Sequence, residues 1–150
     1  MQTHERSLKV VRDGEGRQFT VMGATATYKA TAEDTGGAYS LSVDITPPHG
    51  GVPLHVHNRE DEAMYIIEGE YEIQCGDRTV RVTKGAFVFL PKGVPNRFEN
   101  ATDAPARHLH ITSPGGFERF MEQMALIASD GPPDKDKMRE VLRKHEIEMM

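Results

Sequence analysis

Between Gln18 and Thr112, Gly, Pro, Asn and Asp interrupt the chain so often that no helical repeat has room to develop, and this limits the fold more than any other feature. The segments between the breaks read as short strands. Tyr71-Glu72-Ile73-Gln74-Cys75 and Thr79-Val80-Arg81-Val82 alternate apolar and polar residues, and Gly76-Asp77 supplies a turn, which predicts an antiparallel hairpin. Lys84-Gly85 leads into Ala86-Phe87-Val88-Phe89-Leu90, apolar at every position, as expected of a strand buried on both faces. Pro91-Lys92-Gly93-Val94-Pro95 ends that strand because proline cannot donate to a ladder, and Asn96-Arg97-Phe98-Glu99 begins another. Many short strands at this spacing predict an all-β sandwich or barrel.

After Ser113-Pro114-Gly115-Gly116 the period changes. Phe117, Phe120, Met121, Met124 and Ile127 recur at three and four residues, the spacing of an amphipathic helix. Gly131-Pro132-Pro133 breaks it, Asp134 offers an N-cap, and Met138, Val141, Leu142 and His145 mark one face of a second helix. The methionines are expected to pack this pair against the outside of the barrel or a second subunit, Met being an adaptable filler. One domain over residues 1–150 follows, with a barrel at about 18–112 and a helical segment at about 114–148. Residues 1 to about 17, polar and glycine-containing, read as a loosely held arm or an edge strand exchanged with a partner subunit.

Composition narrows the function. With 37% hydrophobic and 27% charged residues the chain is neither wholly disordered nor membrane-spanning, and no apolar run is long enough to cross a bilayer. The N-terminus carries no secretory pattern, and the single Cys75 cannot form an internal disulfide; both fit a cytoplasmic protein. A net charge of -5, without a cluster of Lys and Arg, argues against nucleic acid and anionic membrane as partners and leaves a small molecule.

The chemistry concentrates at His55-Val56-His57 and Glu62. Residues two apart on a strand face the same side, so both imidazoles reach one interior point, and Glu62, past the turn at Asn58–Asp61, can bring a carboxylate to it. Two imidazoles and one carboxylate on one side of an ion leave other positions open, an arrangement suited to divalent Fe, Mn, Ni or Co. Zinc is less favoured, since closed zinc sites usually recruit cysteines. Glu62 can also act as a catalytic base once a ligand displaces it from the metal. Phe87, Phe89, Phe98, Met64 and Ile66 are the candidates for an apolar substrate pocket. His108 and His110 share one face of a late strand, and the alternation leaves open whether that face is the interior or the exterior; His49 reads as a loop residue at the barrel mouth.

The string His55-x-His57, four residues, Glu62, six residues, Gly69 resembles the first motif of the cupin family, and Gly85, five residues, Pro91-x-Gly93, two residues, Asn96, three residues, Asn100 resembles the second. The resemblance implies a double-stranded β-helix, a jelly roll of six to eight strands closed into a conical barrel, followed by two short helices and assembled as a homodimer. It also implies one bound divalent transition metal. The second motif normally supplies a histidine as fourth ligand; here that place is Asn96, which offers only a neutral carbonyl oxygen, so His110 or His108 is a possible replacement. Asp34–Gly37, the Glu60-Asp61-Glu62 cluster, Val88–Val94, Arg107 and Ser113–Glu118 extend the likeness to small bacterial cupins related to quercetin dioxygenases. From that likeness the expected function is a metal-dependent dioxygenase acting on a small aromatic or enol-bearing, flavonol-like substrate. A non-catalytic small-molecule-binding cupin, and an isomerase or lyase using the metal as a Lewis acid, are the alternatives.

Overall fold

The computed structural model describes residues 6–129 and 131–150. Its strands form two antiparallel sheets. The first has six strands: β1 (Arg17–Val21), β2 (Ala24–Ala30), β3 (Ser40–Thr46), β5 (Asp61–Glu68), β8 (Phe87–Leu90) and β10 (Ala106–Ser113), in the order β1-β2-β3-β10-β5-β8. The second has five: β4 (Gly51–His57), β6 (Glu70–Cys75), β7 (Arg78–Thr83), β9 (Asn96–Asn100) and β11 (Ile147–Met149), in the order β11-β4-β9-β6-β7. A short helix α1 (Ala32–Thr35) precedes β3, while α2 (Phe117–Ser129) and α3 (Lys135–Lys144) follow β10. This is the all-β jelly roll with two C-terminal helices that the sequence predicts.

The predicted hairpin is β6–β7, closed by Gly76-Asp77, with Cys75 opposite Arg78 and Tyr71 opposite Val82. Gly69 turns β5 into β6 at a φ of 89°, and a Cβ there would lie 2.7 Å from that of Ala106, so the motif glycine answers both a backbone and a steric demand. At one end the two sheets close on Met64, Ile66, Tyr71, Ile73, Leu90 and Ala106. Each large apolar side chain buried there stabilises the fold by about 1.5–3 kcal/mol.

Three expectations change here. Phe87 and Phe89 do not enter the interior: they expose 63% and 54% of their surface, while Val88 and Leu90 turn inward. A run apolar on both sides conceals the two-residue alternation, and β8, paired with β5 alone, lies at the margin of its sheet. The helices do not coat the outside; they pack over one mouth of the barrel, where Phe120 and Met124 of α2 join Ile147, Val21, Phe117, Met138 and Leu142 in a second core. Finally, the last residues do not extend α3. His145 ends it, Glu146 adopts a φ of 57°, and Ile147–Met149 form β11 on the free margin of β4, pairing Ile147 with His57 and Met149 with His55.

Residues 1–5 of the predicted N-terminal arm lie outside the described residues. The arm from Arg6 lies against its own chain: Arg6 donates to the Thr35 carbonyl, Lys9 pairs with Asp34, and Lys29 donates to the carbonyls of Arg12 and Glu15. No helix among the described residues is long and apolar enough to cross a membrane.

Candidate metal centre and its cavity

His55 and His57 lie at the end of β4 and Glu62 near the start of β5, so a tight turn between the two sheets brings all three together. All three are buried, and one ligating atom from each lies within 4.8 Å of the others. Local bonds set the imidazoles. Nδ1 of His55 lies 2.8 Å from the Pro53 carbonyl, and Nδ1 of His57 lies 2.9 Å from the carboxylate of Glu60, which is itself buried. Each Nδ1 then carries the proton, leaving the Nε2 lone pair for the shared point, where Nε2 of His57 is 3.2 Å from Glu62. A carboxylate behind a histidine is the arrangement that orients metal ligands, so the donor set fits a divalent transition ion. The turn carrying the second motif is tied to the same place: the Gly93 amide donates to the His57 carbonyl and the Lys92 amide to Asp61.

His108 and His110 point into the barrel. His110 brings Nε2 to 2.6 Å from Glu62, while His108, fully buried, places Nδ1 2.8 Å from the Tyr71 hydroxyl. Burial alone would raise the Glu62 pKa, but the bond from His110 and the charges of His57 and His110 outweigh it and hold it down to about 2. Burial disfavours charge on His110 too; its bond to Glu62 prevails and shifts its pKa upward. Burial lowers His55, with His57 adding to the effect, and pushes His108 down to about 4.

Asn96 occupies the expected place, opposite His55 across the β4–β9 ladder and buried, but its amide nitrogen faces Glu62 at 3.5 Å. In this orientation the amide donates to the carboxylate, the natural pairing for an amide beside an anion, and a half-turn of the amide would bring its carbonyl oxygen to the same place. The motif's closing Asn100 is structural, donating to the carbonyls of Thr46, Pro47 and Ala104. His49 sits on the exposed β3–β4 loop, bonded to Asp103. The thiol of Cys75 is half-buried, and burial pushes its pKa up.

The three ligand candidates open onto a cavity of about 230 Å³, walled largely by apolar side chains. Of the five residues expected in the pocket only Phe98 lines it; Met64 and Ile66 belong to the closed end, and Phe87 and Phe89 are outside. Much of the remaining wall comes from the helical segment and β2, with Val21 of β1, Val52 of β4, and Ile147 and Met149 of β11. Phe117 packs 5.4 Å from the His57 ring and 5.6 Å from His110, and Phe120, Met121, Met124, Met138 and Leu142 complete a lid. Their helical period marked them in the sequence as buried, but a period does not say against what. Tyr28 and Asp44 also line the cavity; apart from strand alternation no sequence signal singled them out.

Comparison with known proteins agrees with this architecture. Residues 43–112 match the family model described as a cupin domain. A quercetin 2,3-dioxygenase of Bacillus subtilis (strain 168) is 23% identical over 94 residues, covering 63% of this chain and 28% of that protein. The tetracenomycin polyketide synthase protein TcmJ of Streptomyces glaucescens is 31% identical over 67 residues, covering 45% of each. The chain thus spans less than half the length of either relative. Among solved structures, KdgF from Halomonas sp. superposes with a TM-score of 0.67 at 14% identity, covering 75% of this chain and 99% of that one, a likeness of fold alone. With both motifs, the two-sheet barrel and the matched stretch all falling on the same strands, the chain carries a cupin domain and has the cupin fold.

Proposed function

We propose that the protein is a metal-dependent enzyme of the dioxygenase class acting on a small aromatic or enol-bearing substrate. One observation carries this reading: two imidazoles and one carboxylate converge from one side on a point that opens onto an apolar cavity, the facial arrangement that leaves positions free for substrate and oxygen. His55, His57 and Glu62 would hold the ion, which when bound supplies Lewis acidity and, if redox-active, electrons. Glu60 and the Pro53 carbonyl keep the imidazoles in the ligating tautomer. Phe117 and the methionines of α2 and α3 exclude water from the reacting centre. Glu62 would be engaged at the ion, so we assign the substrate hydroxyl proton to His110, whose Nε2 lies 2.6 Å from the Glu62 carboxylate. The cavity is smaller than the roughly 300–1,000 Å³ that drug-sized ligands fill, which favours a compact one- or two-ring substrate over a full flavonol.

A second reading, an isomerase or lyase, draws on the His110–Glu62 pair, which can move a proton beside a Lewis-acidic ion without oxygen. Elemental analysis of the purified protein, with oxygen uptake followed on a panel of enols and phenols, separates the two. Stoichiometric Fe, Mn, Ni or Co with substrate-dependent uptake supports the dioxygenase; turnover without oxygen supports the second reading; metal with neither leaves a binding module. His57→Ala should reduce metal from about one ion per chain to near zero with an unchanged far-ultraviolet circular dichroism spectrum. Unchanged metal content would remove the assignment.

We also propose a homodimer formed through the outer face of the six-stranded sheet. The rows Phe89-Ala63-Ile111-Leu41 and Phe87-Tyr65-Leu109-Val43 cross four strands without a charge. Four strands about 4.8 Å apart, with the two rows taking up about four residues at roughly 3.3 Å each along them, give an uncharged strip of about 250 Å² before side-chain relief. A standard interface takes roughly 600–1,000 Å² from each partner, so this strip would form the apolar centre of such an interface with more polar residues around it.

A further inference from the structure

The proposed metal centre accounts for one end of the cavity; polar groups one strand pair further in remain without a role. Asp44 on β3 stands opposite His108 on β10, and Tyr28 on β2 stands opposite Ser42, so neighbouring inward positions of three strands place these side chains together. Asp44 lines the cavity with 17% of its side chain exposed. Its Oδ1 accepts from the Ser42 hydroxyl at 2.6 Å, and its Oδ2 faces Nε2 of His108 at 3.5 Å without a hydrogen bond between them. The Tyr71 hydroxyl donates its single hydrogen to Thr46 and must therefore accept from His108, which puts the proton on Nδ1. Nε2 is then a bare acceptor facing an acceptor. The Tyr28 hydroxyl, on a residue only 4% exposed, also has no partner. Buried polar groups are rarely left unpaired, and two around one carboxylate on a cavity wall mark a place where something else supplies the bonds.

A hydroxyl group meets this demand. Its hydrogen goes to Asp44, where His108 can share it, and its oxygen accepts from Tyr28. A carboxylate or phosphate would be repelled by Asp44, and an ether or aromatic C–H would leave it unmet. We propose that the substrate carries a second, neutral hydroxyl remote from the oxygen held at the metal centre, and that Asp44, with Tyr28 and His108, binds it and sets specificity. This rests on the cavity being the substrate site.

The test uses the metal-loaded protein and three probes of one skeleton, followed by calorimetry: a naphthol, the naphthalenediol with its second hydroxyl on the other ring, and the diol's monomethyl ether with the methoxy group at the distal position. The diol should bind at least about tenfold more tightly than the other two, as expected for a hydrogen bond to a charged group. Asp44→Ala should reduce the preference to within about twofold, and Tyr28→Phe, a smaller change that keeps the ring, should weaken the diol alone by several-fold. Equal binding of the three probes by the unaltered protein, as when the inner groups serve an ordered water only, or an unchanged preference in Asp44→Ala would overturn the proposal. Repeating the series on the metal-free protein separates the two readings: a diol preference that persists while metal removal weakens none of the probes keeps the subsite and removes the metal-centred one.

Discussion

The two faces of the six-stranded sheet reverse the usual rule. The inward face carries Ser42, Asp44, Glu62, His108, His110 and Thr112, and the outward face carries Val43, Tyr65, Phe87, Phe89, Leu109 and Ile111. Several of the buried polar groups are paired with one another, Glu62 with His110 and Ser42 with Asp44, which offsets the cost of burying them, and the apolar groups outside form the face proposed for the homodimer. The difference teaches that hydrophobicity alone does not identify the interior of this barrel; only the closed end, at Met64, Ile66 and Leu90, follows the common pattern.

Substitutions on either face should therefore have separable effects. Inside, Met64→Ala at the closed end should cost the most stability, about 2–5 kcal/mol for a large-to-small change in a sealed core, with metal content unchanged. Chemical denaturation and elemental analysis would measure the two, and a loss of metal would show that the closed end and the mouth are not independent. Outside, replacing Phe87 and Phe89 together by Asp should shift a dimer to monomer in sedimentation at micromolar concentration while changing stability of the fold by about 1 kcal/mol or less. A monomeric unaltered protein would remove the proposed role of this face.

The smallest effect concerns the inward pair Glu62–His110 in metal-free protein. Glu62 is depressed from 4.5 to about 2, so its contribution is present above pH 4.5 and is lost as pH falls toward 2. His110 is raised above 6.5, so its contribution is complete below pH 6.5 and is lost as pH rises through its folded value. Relative to His110→Gln, the unaltered apoprotein should gain most in thermal midpoint between about pH 4.5 and 6.5, with the gap narrowing on both sides. A gap that does not vary with pH would show that the pair is not ionised.

Much of this was legible in the chain. Gly76-Asp77 announced the hairpin, the prolines at 91 and 95 bounded β8 and β9, and His55-x-His57 with Glu62 announced a metal-binding triad, because each depends on the conformational limits or alternation of a few adjacent residues. The helices α2 and α3 were visible for the same reason. His108 and His110 were visible as a same-face pair but not as an inward one, since alternation has two phases and the sequence does not label them. The uniformly apolar β8 misled for a related reason.

What the sequence determined by itself was therefore the local content: strands, turns, two helices, and the spacing that lets three ligands meet. Tertiary structure decided the rest. It turned His110 toward Glu62 and the two phenylalanines away, folded the methionines of α2 and α3 over the cavity, and drew Ile147–Met149 onto β4. The physical reason is that an unpaired strand margin and an open barrel mouth come into being only after the chain has closed on itself, so the forces that recruit these residues act between segments far apart in sequence.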